Sequence, residues 1–331
     1  GPWCGSQFVW RRRLEFGFEI PHRGPLATVE SISILARLGE DLGFDIFCVS
    51  DHIVFPNRFK TKFPYSESGE LTGMSGECLE PLTLLSFLAA QTRTVRLLTS
   101  VLVLPYREPV FTAKIIASLD YLSGGRVIAG CGVGWLAEEF ERLGAPPFEE
   151  RGSVTDEYIQ VFKELWTGDT PSFAGKYTRF SDITFEPKPV QKPHPPIWVG
   201  GDSPSALRRA ALFGDGWYPT GVNSRYPVGS TTQLSSALDS LRRHSEEAGR
   251  NPDQVAVACS IGWYDDLEMH VLSNGERRRF TGSPHQIAGD ILAYGDLGVR
   301  CLILGFERGS LVETTDTMER FARDVLPLVY S

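Results

Sequence analysis

Short apolar runs, each followed by a longer amphipathic stretch, recur eight times along this chain. Few folds accommodate that rhythm. The runs at 14–20, 44–50, 95–104, 126–131, 196–199, 216–219, 255–260 and 299–304 read as strands. Most are continuously apolar rather than alternating, as in strands buried on both faces of a parallel sheet. Helical spacing fills the intervals: 28–42, 81–92, 109–122, 135–143 with 151–166, 204–213, 232–248, 284–297 and 311–329. In the first of these, Val29, Ile32, Leu35, Ala36, Leu38 and Leu42 follow the period, and Gly43 stops the helix. Eight such units predict an α/β fold, a (β/α)8 TIM barrel with insertions. A doubly wound sheet is the alternative. It would divide a chain of 331 residues into two domains, yet no composition break marks a linker. The expected organisation is an N-terminal extension over 1–13 and one barrel over 14–331. Insertions are expected near 53–80, 168–195 and 261–283. The first and third follow strands, on the face where barrel enzymes place their sites. Within the second, 177–185 reads as a strand or hairpin.

Composition narrows the partners. With 33 basic and 41 acidic residues the net charge is −8, so the electrostatic footprint of a nucleic-acid binder is absent. No run reaches the ~18 apolar residues of a membrane span. The first residues do not read as a signal peptide. Cys4, Cys48, Cys78, Cys131, Cys259 and Cys301 form no C-x-x-C pair, and four of them fall inside apolar runs. Small buried thiols in a reducing cytoplasm are expected. The six histidines show no metal-ligand spacing, so no metal is expected. A nucleophile elbow, an S-x-x-K motif and a Walker A loop are all missing from the sequence. Glycine and proline together make up about one residue in six. This is below the roughly 25–30% that marks disorder, so the glycines must be placed.

Several stand where strands end. The second strand ends in Ser50-Asp51-His52. A carboxylate beside an imidazole can work as an acid/base pair, or Asp51 can simply cap a turn. The fourth ends in Gly130-Cys131-Gly132-Val133-Gly134-Trp135, which lets backbone approach a flat ligand or packs a barrel corner. The spacing is G-x-G-x-G, not the dinucleotide fingerprint. The fifth runs through Gly200-Gly201-Asp202-Ser203 directly into a helix, and the sixth ends in Thr220-Gly221. Free N–H groups at a helix start form an anion site, and two adjacent turns of this kind late in a barrel favour a phosphate. Asp202 or Ser203 can equally cap the helix.

Further landmarks are Thr99-Ser100-Val101, Leu122-Ser123-Gly124-Gly125-Arg126, the 130–139 segment, Pro195-Pro196-Ile197-Trp198-Val199-Gly200-Gly201 and Gly214-Asp215-Gly216-Trp217. With Ser50-Asp51-His52 they occur in order between 14 and 328. Together they resemble the bacterial luciferase-like flavin and deazaflavin oxidoreductases, in the branch described as coenzyme F420-dependent. The resemblance implies a barrel with a flavin-type ring across its C-terminal mouth. It implies that Asp51 and His52 face the ring, with catalytic roles. It implies a cis peptide between Ser100 and Val101 that bulges behind the ring. Gly132, Val133 and Gly134 would line the cofactor, and Gly201, Asp202, Ser203, Thr220 and Gly221 would take its phosphate. A homodimer is also implied.

One departure stands out. The sugar-phosphate dehydrogenase branch has a catalytic glutamate where this chain has Trp135; Glu138 and Glu139 lie about one turn further on. Trp135, Tyr106, Phe55, Phe59, Phe63 and Tyr65 point instead to an apolar or aromatic small-molecule substrate. The first reading is hydride transfer between coenzyme F420 and that substrate, with His52 handling the proton. The second is an FMN-dependent monooxygenase using reduced flavin and oxygen. A non-catalytic flavin-binding protein and a carboxylate hydrolase using Asp51, Glu80 and Glu108 complete the set. Arg208, Arg209 and Arg225 are the candidates to meet an anionic F420 tail.

Overall fold

A computed structural model describes residues 13–66, 69–71 and 78–330. The proposed extension at 1–12, with Cys4, lies outside the described residues. Arg13, grouped with it, is tied to the barrel: its guanidinium donates to Asp45 Oδ1 at 2.6 Å and to the Tyr330 hydroxyl at 3.0 Å.

The strands are β1 (Glu15–Glu19), β2 (Ile46–Val49), β3 (Arg96–Thr99), β4 (Leu102–Val103), β5 (Val127–Gly132), β6 (Phe173–Ala174), β7 (Arg179–Phe180), β8 (Ile197–Gly200), β9 (Gly216–Tyr218), β10 (Ala256–Ile261) and β11 (Cys301–Leu304). Barrel neighbours pair in parallel in the order β1, β2, β3, β5, β8, β9, β10, β11. Glu15 opposite Cys301 then closes the ring. This is the (β/α)8 barrel that the eightfold rhythm demands. The helices are α1 (Val29–Asp41), α2 (Pro81–Gln91), α3 (Pro109–Ser123), α4 (Ala137–Leu143), α5 (Arg151–Thr167), α6 (Pro204–Phe213), α7 (Thr231–Glu247), α8 (Pro284–Asp296), α9 (Leu311–Arg320) and α10 (Leu326–Tyr330). In the second insertion β6 and β7 form a short antiparallel pair, Phe173 opposite Phe180.

Side chains divide between two cores, because successive residues of a strand face opposite sides. Ile46 and Cys48 join Leu98, Ile128, Trp198 and Tyr218 in an inner cluster. Phe47 and Val49 belong to the larger outer cluster, with Leu35, Leu85, Ile116 and Phe162 of the helices. Cys48, Cys131, Cys259 and Cys301 are buried free thiols and Cys78 is half-buried.

The third apolar run, 95–104, is not one strand. It breaks between β3 and β4, and the Ser100–Val101 peptide there is cis. The break needs room. A Cβ on Gly132 would come within 2.4 Å of Val101 Cγ2, and one on Gly200 within 2.8 Å of Val101 Cγ1. These two glycines therefore make room for the Val101 side chain. Gly130 is tighter: a Cβ there would lie 1.8 Å from the Thr99 carbonyl oxygen, backbone that cannot swing aside. Gly130→Ala should lower stability by ~1–3 kcal/mol or more, the cost of overpacking. Urea denaturation checks this; an unchanged midpoint would show that the β3–β5 contact has slack.

Candidate active site

His52 follows β2 at the C-terminal end of the barrel, where its side chain is largely covered. Its Nδ1 lies 2.7 Å from Glu139 Oε2. A carboxylate only accepts, so Nδ1 carries the proton of this bond and Nε2 is the ring nitrogen left for a ligand. Among the described residues Nε2 has no hydrogen-bond partner.

Glu139 lies in the first turn of α4 and is fully buried. Its Oε1 accepts from the backbone N–H groups of Ile53 (2.8 Å) and Val54 (3.2 Å), and its Oε2 from the Tyr106 hydroxyl at 2.9 Å. Burial, then the adjacent Glu139 charge, pushes the Tyr106 phenol up, so it stays a donor. Tyr106 was expected in the substrate pocket. It is buried instead and spends its hydroxyl on Glu139. Glu138, one residue earlier, accepts from the backbone N–H groups of Lys60 and Thr61 and from the Thr61 hydroxyl. Desolvation works against its charged form, but these bonds hold its pKa down at about 2. One helical turn thus pins the start of the first insertion.

The aromatic residues of that insertion pack around His52. Phe55 stands 5.4 Å and Trp135 6.0 Å from its ring, both edge-on. Phe63 lies 5.1 Å from Trp135, Phe59 5.5 Å from Phe55, and Tyr65 5.4 Å from Phe63.

Asp51 has different company. Both its oxygens are held by the Arg107 guanidinium, at 2.6 and 2.8 Å, and Oδ2 also accepts the Val103 N–H at 2.8 Å. Arg107 reaches Glu80 Oε1 at 2.9 Å, and Glu80 caps α2. Asp51 therefore anchors β4 and the α2 start, with its carboxylate saturated. Ser100 Oγ lies 3.0 Å from the buried Tyr218 hydroxyl.

The expected phosphate corner is occupied by protein groups. Asp202 is buried, and its two oxygens accept the Thr220 N–H and the Thr220 hydroxyl, both at 2.8 Å. Burial pushes its carboxyl pKa up, against the bonds from Thr220. Ser203 caps α6 by accepting the Ala206 N–H, and the Gly201 N–H reaches the Tyr218 carbonyl at 3.3 Å. Gly201 and Gly221 take positive φ, +115° and +74°, so both turns need glycine. Of the arginines expected near an anionic tail, Arg209 is buried and paired with Asp156, while Arg208 and Arg225 are exposed. Val133 and Gly134 are half-buried at the end of β5.

A cavity of about 470 Å³ opens over the C-terminal ends of β10 and β11, lined in part by Cys48, Ser100, Ser260, Trp263, Arg278 and Glu307. It falls within the ~300–1,000 Å³ of small-molecule sites, so a flat cofactor ring with a small partner is admissible. Asp265, Glu268 and His270 nearby bring ligand-type atoms within 4.8 Å of one another. His270 and Asp265 bond to each other at 2.9 Å, which accounts for the grouping.

Comparison with known proteins bears on this arrangement. The profile of the luciferase-like monooxygenases matches residues 16–266. The chain belongs to that family. It is 30% identical over 293 residues to an FMNH2-dependent dimethylsulfone monooxygenase of Pseudomonas putida, covering 76% of this chain and 78% of that one. The monooxygenase RslO1 of Streptomyces bottropensis superposes with a TM-score of 0.76 at 24% identity, covering 96% of this chain and all of the other. The coenzyme F420-dependent tetrahydromethanopterin reductase of Methanopyrus kandleri gives 0.73 at 18% identity, covering 95% and 99%. The curated relative is thus FMNH2-dependent, and one neighbour in fold is coenzyme F420-dependent. Among the described residues no helix is long and apolar enough to cross a membrane.

Glu139 is the site residue that sequence reasoning leaves unassigned. Its signal is faint: an acidic pair in the first turn of a short helix, a position carboxylates favour on dipole grounds alone.

Removal of Arg107 tests the Asp51 anchor. Arg107→Ala leaves a buried carboxylate uncompensated, so a loss of ~3–5 kcal/mol is expected by chemical denaturation, with part recovered in Arg107→Ala/Asp51→Ala. A loss below about 1 kcal/mol would mean the pair is not the anchor.

Proposed function

We propose that this chain is a flavin-type oxidoreductase acting on a small organic molecule, with His52 as its acid/base group. The observation that carries the reading is the His52–Glu139 hydrogen bond of 2.7 Å at the barrel mouth. Glu139 fixes the tautomer and ring direction, and Nε2 is the atom that takes or returns a substrate proton. Glu139 is here a positioning residue, and Tyr106 with the Ile53 and Val54 N–H groups keeps its carboxylate in place. The ring of Trp135 and the aromatics of the first insertion give an apolar wall that excludes water and suits the apolar part of a substrate. Asp51 contributes by anchoring, not by proton transfer.

Between the two cofactors we favour reduced FMN, which when bound with oxygen supplies the oxidising chemistry of a monooxygenase. Two observations support it. The relative with a named activity and 30% identity uses FMNH2. Arg209, one of the three arginines expected to meet an anionic F420 tail, is already committed to Asp156. On this reading Ser100, Val133 and Gly134 border the ring. Hydride transfer with coenzyme F420 is the second reading, supported by the sequence landmarks of that branch.

Titration of the purified protein with each cofactor, followed by flavin or deazaflavin fluorescence, separates them. FMN binding without F420 binding is expected; the reverse result replaces the first reading with the second, and binding of neither overturns both. His52→Ala should lower kcat by ~10²–10⁴-fold while leaving the cofactor Kd within about twofold. Unchanged kcat would remove His52 from the mechanism. Glu139→Gln should lower kcat in the same direction with little effect on KM.

A further inference from the structure

Three consecutive arginines, Arg277, Arg278 and Arg279, close the third insertion before α8. The outer two turn to a single buried carboxylate. Arg277 holds Asp290 at 2.7 and 2.9 Å, and Arg279 reaches it at 3.4 Å. Arg278, between them, does not join that carboxylate. Its guanidinium lies 3.9 Å over the Trp263 ring and lines the mouth cavity. Trp263 is itself fixed, its indole N–H donating to the Arg279 carbonyl at 2.7 Å.

Among the described residues the Arg278 side chain has neither a hydrogen-bond nor an ion-pair partner. It is half-buried, and burial lowers its pKa from the usual guanidinium value. A guanidinium stacked on an indole keeps its N–H edges free, in the planar fork that matches an oxyanion. The other charged groups of the cavity are engaged. Asp265 accepts from His270 and from the Leu267 and Glu268 N–H groups. Arg308 donates to the carbonyls of Tyr264, Gly305 and Glu307. Glu19 accepts from Ser50, and Glu307, near Arg23, is pushed toward its neutral form by burial and by Glu19. The cavity continues to Ser100 and Cys48.

We infer that Arg278, braced on Trp263, is the anchor for an oxyanion group of a molecule bound in the barrel mouth. This deepens the proposed function, on which it rests for the identity of the reaction site. The oxyanion is a sulfonate, carboxylate or phosphate, carried by the substrate or by the end of the cofactor. A substrate of this kind joins an apolar body to a terminal anion, so that the charge fixes its position in the mouth.

Calorimetric titration of the full chain and of Arg278→Gln with hexanesulfonate, hexanol, FMN and coenzyme F420 tests this. At least one anion should bind the wild-type chain and lose about tenfold or more in affinity in Arg278→Gln, with hexanol changed less than twofold. Loss on hexanesulfonate assigns the anchor to the substrate; loss on FMN or F420 assigns it to the cofactor. Arg278→Lys, which keeps the charge, should recover part of the loss and shows that the site is still formed. The inference is overturned if no anion binds the wild-type chain, if the anions bind both forms alike, or if hexanol weakens in parallel. The hexanesulfonate arm needs no cofactor, so failure of both cofactors to bind removes the proposed function without deciding this point.

Discussion

One buried carboxylate ties together the start of the first insertion, the turn after β4 and α4. Glu139 is fully inaccessible, and an uncompensated charge there would cost several kcal/mol. It is tolerated because four donors converge on it: two backbone N–H groups, a phenol and an imidazole. Those donors come from the segment after β2 and from the turn after β4, while the acceptor comes from α4. The charge therefore draws three successive strand–helix connections together. A side effect of satisfying it is that His52 is held by Nδ1, and the ring is left with one nitrogen for a ligand.

A second close approach organises the opposite side. The β3–β4 break carries Val101 into the space above Gly132 and Gly200, and it sets Ser100 against Tyr218. Here backbone, not charge, is the constraint.

The barrel was legible because its signal is repeated. Each strand is short, but eight apolar runs spaced by amphipathic stretches admit few architectures, and small errors at the ends do not disturb the count. The break at Ser100 and Val101 coincides with the polar pair Thr99-Ser100, but one such pair inside an apolar run does not announce a break; the family resemblance does. Site residues fared unevenly for a related reason. His52 announces itself as an imidazole at a strand end. Its partner Glu139 stands 87 residues later, and nothing local to an acidic pair on a short helix distinguishes a buried charge from a solvated one. The Asp202 corner shows the converse limit. Gly201, Ser203 and Thr220 have the residue types of an anion site, yet Thr220 donates to the Asp202 carboxylate, the Gly201 N–H to the Tyr218 carbonyl, and Ser203 caps α6. Donor pattern alone does not say who accepts.

The first insertion is fastened to α4 mainly through main-chain groups. Ile53 and Val54 offer N–H bonds to Glu139, and Lys60 and Thr61 offer theirs to Glu138. A peptide N–H is the same for every residue but proline. The fastening is therefore nearly indifferent to which side chains the loop carries, whereas the wall of the mouth is made from those side chains, Phe55, Phe59, Phe63 and Tyr65. Under the proposed function, substrate preference and the seating of the base are thus written in separate parts of the same loop. Descendants of this chain are free to exchange the wall, one aromatic at a time, while the imidazole keeps its post.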